Sequence, residues 1–580
     1  MEGNMRIAIE VGSTLKLLSG TSNDTYDEYR IESDRDPGAT CLVYGAIDLK
    51  TNEKVILKEF FPDNGFDLTD LIRHPDTNIL ILNNADKAKD FADGKEHFIK
   101  GIEEYKKWWF LNKQTMPFPY FAGKVDSNET VYVISRLANG SILSYDSIKG
   151  NANSCKSWLD RILKAMISIC ESIEKFHAKD FLYLDLKPDN LFLFDYQDIE
   201  DIEIGFFDFD SVSPKTEIQT GKTYHYSSSW APYELIYSSF RDIDFHTDSY
   251  AIGAIFFNLL TNKTLEKFAD EQRAPNIKGI LSEIYKLKES EFFIHIPSRV
   301  FTIIERILKK TIKFYGPNSR LKTSEIKTNL LECYYYLYAN VNFYEVNYLS
   351  PYEHRLARAF ATLGGIKLDK SLFSDCVFND EDFSARLNMG LIEKSNSQYY
   401  MRKLIADHLQ SFFYATTFEY ENYNVISSIA NVLFTINISP LLDKHNRPPI
   451  DFADDLFIAN YYYLIGNRLI NFLLGYWKEV IRSGLPIDES YMVDATYLLN
   501  CFRLFAQLCC CLEKYYDVKD FYIMLDEIIY YLPHSPVFVK LMKVYFVLAI
   551  DNIDDIAKDE KKQLKKTVLA KKESFKGEAW

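Results

Sequence analysis

The chain has 580 residues, 47% of them hydrophobic, and a formal net charge of −15; this length exceeds what one hydrophobic core organises and implies several domains. The charge excludes a general nucleic-acid surface, which needs concentrated positive charge, and the basic run at 561–576 reads as a solvated helix end. The nine cysteines are irregularly spaced without a CxxC pair, which argues against a disulfide framework or a zinc site and fits a cytoplasmic protein; no apolar run is long enough to span a bilayer, and the opening residues lack the order of a signal peptide.

From about 26 to 62 the pattern is strand, turn, strand. β-branched and aromatic residues dominate 41–48 and 55–60, and Lys50-Thr51-Asn52-Glu53-Lys54 makes the turn between them. Lys58 stands in an otherwise apolar strand, where a lysine is costly unless it is paired or faces a ligand. Residues 63–97 read as an irregular insertion. A helix is expected over 95–111 from the stripe Phe98, Ile102, Tyr105, Trp108 and Trp109. Strands follow near 120–125 and 131–134, and Asn139-Gly140 ends them. Residues 157–177 then place Leu159, Ile162, Leu163, Met166, Ile169, Ile173 and Phe176 at helical spacing. The 40 tyrosines and 42 phenylalanines read as aromatic-rich packing rather than as a stacking surface.

The next run carries the chemistry. Tyr183-Leu184-Asp185-Leu186-Lys187-Pro188-Asp189-Asn190 is followed by Phe207-Asp208-Phe209-Asp210. A carboxylate, a lysine and an amide close together, with another carboxylate after the next apolar run, are what phosphoryl transfer needs: a group to orient a hydroxyl, one to hold phosphate, and metal ligands. The polar residues lie between the apolar runs 181–184 and 191–194, which read as buried strands that fix the loop.

With Lys58-Glu59-Phe60-Phe61-Pro62 before them, and Ala231-Pro232-Tyr233-Glu234, Asp248-Ser249-Tyr250-Ala251-Ile252-Gly253 and Arg320 after, these motifs resemble a eukaryotic-like (Hanks-type) serine/threonine protein kinase of the branch found in bacteria. The resemblance covers roughly 26–332. It implies an α+β bilobal fold, with a small lobe over 26–137 and a large lobe over 138–332. It also implies ATP with Mg2+ or Mn2+. Asp185 would accept the proton of the incoming hydroxyl, Lys187 would neutralise the transferring group, and Asn190 and Asp208 would hold the metal. Lys58 would contact the α- and β-phosphates, with Gly38 and Val43 also in the nucleotide site. Ile134 would guard the back of the adenine pocket, and the backbone of Arg136 and Leu137 would meet the adenine edge. Arg320 would pair with Glu234.

Several positions depart from the family. Asp36 and Cys41 replace two glycines of the phosphate-binding loop, which predicts weak or slow ATP turnover. Gly101 stands where the glutamate partner of Lys58 is expected, and Glu104, one turn on, is the preferred substitute over Glu103. Leu184 replaces the arginine that receives an activation-loop phosphate, so control by such phosphorylation is not expected. Thr220, Thr223 and 227–229 read as solvated loop hydroxyls. Asp210 replaces a glycine and either restricts this segment or adds a metal-site carboxylate.

Beyond 330 the pattern is of long amphipathic helices with breaks at Pro448-Pro449, 484–486 and 532–536. This is an all-α, helical-repeat-like region over 413–580, without a clean repeat signature. Residues 350–412, in helix–helix–turn–hairpin order, resemble a winged-helix module; the acidic run Asn379-Asp380-Glu381-Asp382 argues for protein contact there rather than DNA reading. The leading function is phosphoryl transfer to serine or threonine hydroxyls of a protein substrate. The helical region would bind a regulatory protein, and neither nucleic acid nor membrane is an expected partner. A pseudokinase scaffold and AMP transfer on the same fold are the alternatives.

Overall fold

A computed structural model describes residues 6–18, 26–35, 40–111 except 64 and 68, 121–136, 140–196 except 151, 201–344 except 207, 208, 210 and 219–225, then 360–361, 368–369, 380–413 except 397, and 562 and 566. The chain forms two compact units. The first comprises Met1–Asp195, Ile202–His295 and Ile304–Asn329, and the second Tyr196–Asp201, Ile296–Ile303 and Leu330–Trp580.

The first unit opens with a six-stranded antiparallel sheet. In chain order its strands are β1 (Thr14–Leu18), β2 (Tyr26–Arg35), β3 (Cys41–Asp48) and β4 (Lys54–Phe60), then β7 (Phe121–Ser127) and β8 (Thr130–Arg136). Their spatial order is β1-β2-β3-β4-β8-β7, so β4 lies inside the sheet, paired on both edges. The sheet starts before residue 26, because Leu15 and Leu17 alternate inward into the same core as Ile31, Tyr44 and Leu57.

The expected irregular insertion is ordered. Residues 63–97 supply a hairpin of β5 (Leu71–Arg73) and β6 (Leu80–Leu82) and the opening turns of α1 (Ala88–Leu111). Leu71 and Leu80 join the sheet core, an anchor that two apolar positions so short and so far apart do not advertise as a strand pattern. On the other face of the sheet, Phe98 of α1 packs on Phe60, ring centroids 5.4 Å apart.

A helical part follows, beginning with β9 (Ser141–Ile142) and α2 (Tyr145–Lys149). Gly140 precedes β9; a Cβ there would lie 2.3 Å from the Phe192 ring and 2.5 Å from the Leu193 carbonyl oxygen, so only glycine permits this approach. Helix α3 (Cys155–His177) is capped by Ser154, whose side chain accepts the Ser157 amide. Then come β10 (Phe181–Leu182), β11 (Leu191–Tyr196), β12 (Asp201–Phe206), β13 (Ser213–Pro214), α4 (Lys215–Ile218) and α5 (Tyr233–Ile236). Helix α6 (Phe245–Thr261) is buried along most of its length. It starts at an Asp244–Thr247 capping box and ends at Asn262, which takes the left-handed conformation. Helices α7 (Ile277–Glu289), α8 (Ser298–Thr311) and α9 (Thr323–Tyr338) complete the series.

In the 350–412 segment the structure has a strand at Leu368–Asp369, a helix at Asp380–Asn388, a hairpin of Glu393–Ser395 with Gln398–Tyr400, and a helix at Lys403–Phe413. The helical-repeat-like segment 413–580 lies almost wholly outside the described residues.

Candidate functional site

The 183–190 loop is built from its backbone upward. Strand pairing of β10 with β13 ends at Leu182, and the chain then turns because Leu184 takes φ +66°, a conformation unfavourable for a branched side chain. Asp248 of α6 holds it there. Its Oδ2 accepts the Tyr183 amide and its Oδ1 the Leu184 amide, both at 3.0 Å. His177, at the end of α3, places Nε2 2.9 Å from the same carboxylate.

That turn gathers the three polar residues beyond it. Lys187 donates from Nζ to Asp185 Oδ2 at 2.7 Å and to Ser227 Oγ at 2.9 Å. Asn190, itself buried, donates from Nδ2 to the Asp185 carbonyl at 2.9 Å and to Oδ2 at 3.2 Å. One carboxylate oxygen is left: Asp185 Oδ1 is buried and has no hydrogen-bond partner among the described residues. A buried acceptor left open is costly unless a ligand completes it, and an arriving hydroxyl donor would do so. With its nitrogen turned to Asp185, Asn190 has its carbonyl oxygen left for a hard cation. Both features fit a magnesium nucleotide and a hydroxyl acceptor. Asp208, the other expected metal ligand, lies outside the described residues.

Ser227 is the residue that the sequence underrated. Its hydroxyl ties the segment before Ala231 to Lys187, a contact across 40 positions that no local pattern reveals. Downstream, Arg320 forms a buried two-pronged pair with Glu234, at 2.5 Å and 3.0 Å, as expected. Thr247 adds a hydrogen bond to the same carboxylate at 3.0 Å. Leu184 sits in an apolar cluster with Leu182, Ile218, Ala231, Leu235 and Ile243, so packing joins α4 and α5 to the loop.

In the sheet, Lys58 lies on β4 directly opposite Val43 on one side and Val133 on the other. This places Lys58, Val43 and Val133 on one face, the face that α1 covers in part. Ile134 is one residue out of phase. It belongs to the core on the opposite face with Leu57 and Tyr44, and Ser135, paired with Ile56, takes the position on the Lys58 face. The expected role of Ile134 at the back of a pocket beside Lys58 is therefore contradicted by strand parity. Gly38 and Leu137, and the side chains of Arg136 and Glu104, lie outside the described residues.

The charged residue of β4 that is fully buried is not Lys58 but its neighbour. Glu59 is 0% exposed. It receives Arg73 through both terminal nitrogens at 3.0 Å and 2.6 Å, the Tyr44 hydroxyl at 2.8 Å and the Tyr132 hydroxyl at 2.7 Å. Burial works against the Arg73 charge, but Glu59 more than offsets this and leaves its pKa above that of an ordinary guanidinium. Burial, with Glu59 adding, pushes both tyrosines up. The guanidinium and both phenols thus keep their ordinary protonation states across the physiological range.

Among the described residues no helix is long and apolar enough to cross a membrane, and no group of three or more His, Cys, Asp or Glu side chains could hold a metal. Residues 120–330 match the family model for the protein kinase domain. The chain is also 27% identical over 167 residues to the human protein "Myosin light chain kinase family member 4", an alignment covering 28% of this chain and 40% of that relative. The chain thus spans well under half the length of the curated relative. The segment similar to the protein kinase domain contains the 183–190 loop, Ser227, Glu234 and Arg320, with β-rich structure before and helices after.

Proposed function

We propose that the protein transfers the γ-phosphoryl group of ATP, with Mg2+ or Mn2+, to serine or threonine hydroxyls of a protein substrate. The observation that carries the reading is a buried acceptor left open within a polar network. Asp185 Oδ1 is buried without a partner among the described residues, while Lys187 and Asn190 fix the other oxygen. An incoming hydroxyl would donate to Oδ1, which orients it and takes its proton as the bond to phosphorus forms. Lys187 sits beside that position and would stabilise the charge on the transferring group. Asn190 and Asp208 would hold the metal, and Lys58 would hold the α- and β-phosphates. Bound magnesium ATP supplies the phosphoryl group and the cation that screens it.

The Lys58 face lies in the same compact unit as the loop, and it carries two small positions, Gly45 and Ser135, on either side of Ile56. Gly38, Val43, Arg136, Leu137 and Glu104 complete the proposed nucleotide site. Regulation by activation-loop phosphorylation is not part of this proposal, because Leu184 is buried in an apolar cluster that has no place for a phosphate. The region beyond 413, helical by its sequence pattern, is proposed to bind a regulatory protein, and the setting to be cytoplasmic.

Incubation with γ-labelled or α-labelled ATP, divalent metal and candidate proteins tests this, alongside Asp185→Asn and Asp208→Ala. Transfer of γ label that both variants abolish is expected. Transfer of α label would replace the proposal with AMP transfer, and failure to bind nucleotide at all would leave a scaffold.

A further inference from the structure

The buried hub on the far side of β4 has no part in the chemistry above, yet it lies one residue from Lys58. Its partners come from separate stretches of chain: Tyr44 on β3, Arg73 on the hairpin, and Tyr132 on β8. Arg73 also donates to the carbonyls of Ile7 at 2.9 Å and Asn78 at 3.1 Å, and the Tyr44 hydroxyl accepts the Ile9 amide at 3.3 Å. The amino-terminal arm, the hairpin and three central strands therefore converge on one carboxylate.

Side chains alternate along a strand, so Glu59 inward means Lys58 outward. A slip of one residue in β4 would exchange them. It would drive the Lys58 cation into a pocket already holding Arg73 and expose the carboxylate that neutralises it. Hydrophobicity alone leaves the facing of Lys54–Phe60 incompletely fixed, since burial alternates through Glu59 and Phe60 is then buried on the other face. A charge pair that fits at a single position specifies it strongly, the best-attested use of buried polar groups.

We propose that Glu59 and Arg73, with Tyr44 and Tyr132, are positioning residues that set the register and facing of β4 and so aim Lys58 at the nucleotide. The arm at 6–13 and the hairpin at 71–82 then belong to the nucleotide site mechanically, though neither touches it. This rests on the reading of Lys58 as the phosphate-binding lysine.

The test separates position from stability. Replacing the whole hub with apolar groups of similar shape (Glu59→Met, Arg73→Met, Tyr44→Phe and Tyr132→Phe together) removes the buried charges without leaving one unpaired, and such replacements often preserve or raise stability. Leu17→Ala, in the same core but outside the hub, serves as the destabilised control. Affinity for a non-hydrolysable magnesium ATP analogue is measured by calorimetry on the full chain, with thermal melting in parallel. The hub variant is expected to melt near the wild type and bind about tenfold more weakly, while Leu17→Ala melts lower and binds as the wild type does. Tyr132→Phe alone, which keeps the charge pair, is expected to weaken binding about twofold, and it carries the test should the full replacement not fold. Wild-type affinity in the hub variant, or in Tyr132→Phe where that variant stands in, would overturn the proposal. So would an equal loss of affinity in Leu17→Ala. A wild type that binds no nucleotide would instead overturn the kinase reading, and this inference with it.

Discussion

Two buried carboxylates organise the first unit, and they do so by different means. Asp248, 1% exposed, holds the 183–190 loop through two backbone amides and a histidine. Glu59, 0% exposed, is held by a guanidinium and two phenols, all side chains. Backbone amides are present whatever residue occupies 183 or 184, so the loop keeps its geometry with leucine at 184. A hub made of side chains depends on the identity of every member. The first arrangement tolerates sequence change around it, while the second fails when one partner is lost, because a buried charge is then left uncompensated.

The comparison is broken most directly at the other charge-paired carboxylate. Arg320→Met leaves Glu234 buried with only Thr247 to satisfy it, and is expected to cost about 3–5 kcal/mol in denaturant unfolding. If the cost is under about 1 kcal/mol, side-chain hubs are not as brittle as their chemistry implies. Asp248→Asn probes the amide-held carboxylate. Its neutral amide presents one acceptor to two N–H donors and turns its own N–H₂ towards one of them, so the left-handed turn at Leu184 loses a restraint. We expect kcat to fall about a hundredfold through misplacement of Asp185, with far less change in ATP affinity. An equal loss in both would show that the loop and the nucleotide face share one restraint rather than two.

Packing provides the next test. Ile218 is fully buried in the cluster that joins α4 and α5 to Leu184. Ile218→Ala is expected to cost about 2–4 kcal/mol and to lower kcat without altering ATP affinity. If activation-loop phosphorylation plays no part, as proposed, phosphatase treatment should leave the wild-type rate unchanged, because the apolar Leu184 offers a phosphate no charge.

These differences explain what could be read in advance. Asp185, Lys187 and Asn190 lie within six positions, so their spacing alone announces a shared site, and α3 declares itself by apolar periodicity. The hub was hidden because Arg73 lies on a hairpin whose strands are three residues each, and because Lys58 attracted the question that belonged to its neighbour. The parity of β8 was likewise open: Val131 to Ile134 are all apolar or aromatic, and only pairing with β4 decides which two face Lys58. Ser227 carried no local signal at all; its meaning comes from Lys187.

The second unit offers the smallest effect and a different logic, through a titratable ring packed in an aromatic stack. His408 lies flat on Phe343, with ring centroids 3.9 Å apart and planes within 8°, and Tyr335 meets it edge-on at 5.7 Å. Its Nε2 lies 3.2 Å from the Phe343 carbonyl oxygen. Burial lowers its pKa below the ordinary 6.5, although the carbonyl works the other way. Above that ordinary value both folded and unfolded chains carry a neutral imidazole, so its pH dependence vanishes there. As the pH falls below 6.5 the unfolded chain takes up a proton that the folded chain resists, and stability is lost until the lowered folded value is passed. Melting of the wild type should therefore drop by about 2 °C more than that of His408→Phe between neutral pH and about pH 5.5. Parallel pH profiles for the two proteins would mean that the imidazole is protonated in the folded stack as readily as in water, and that the Phe343 carbonyl, not burial, decides its state.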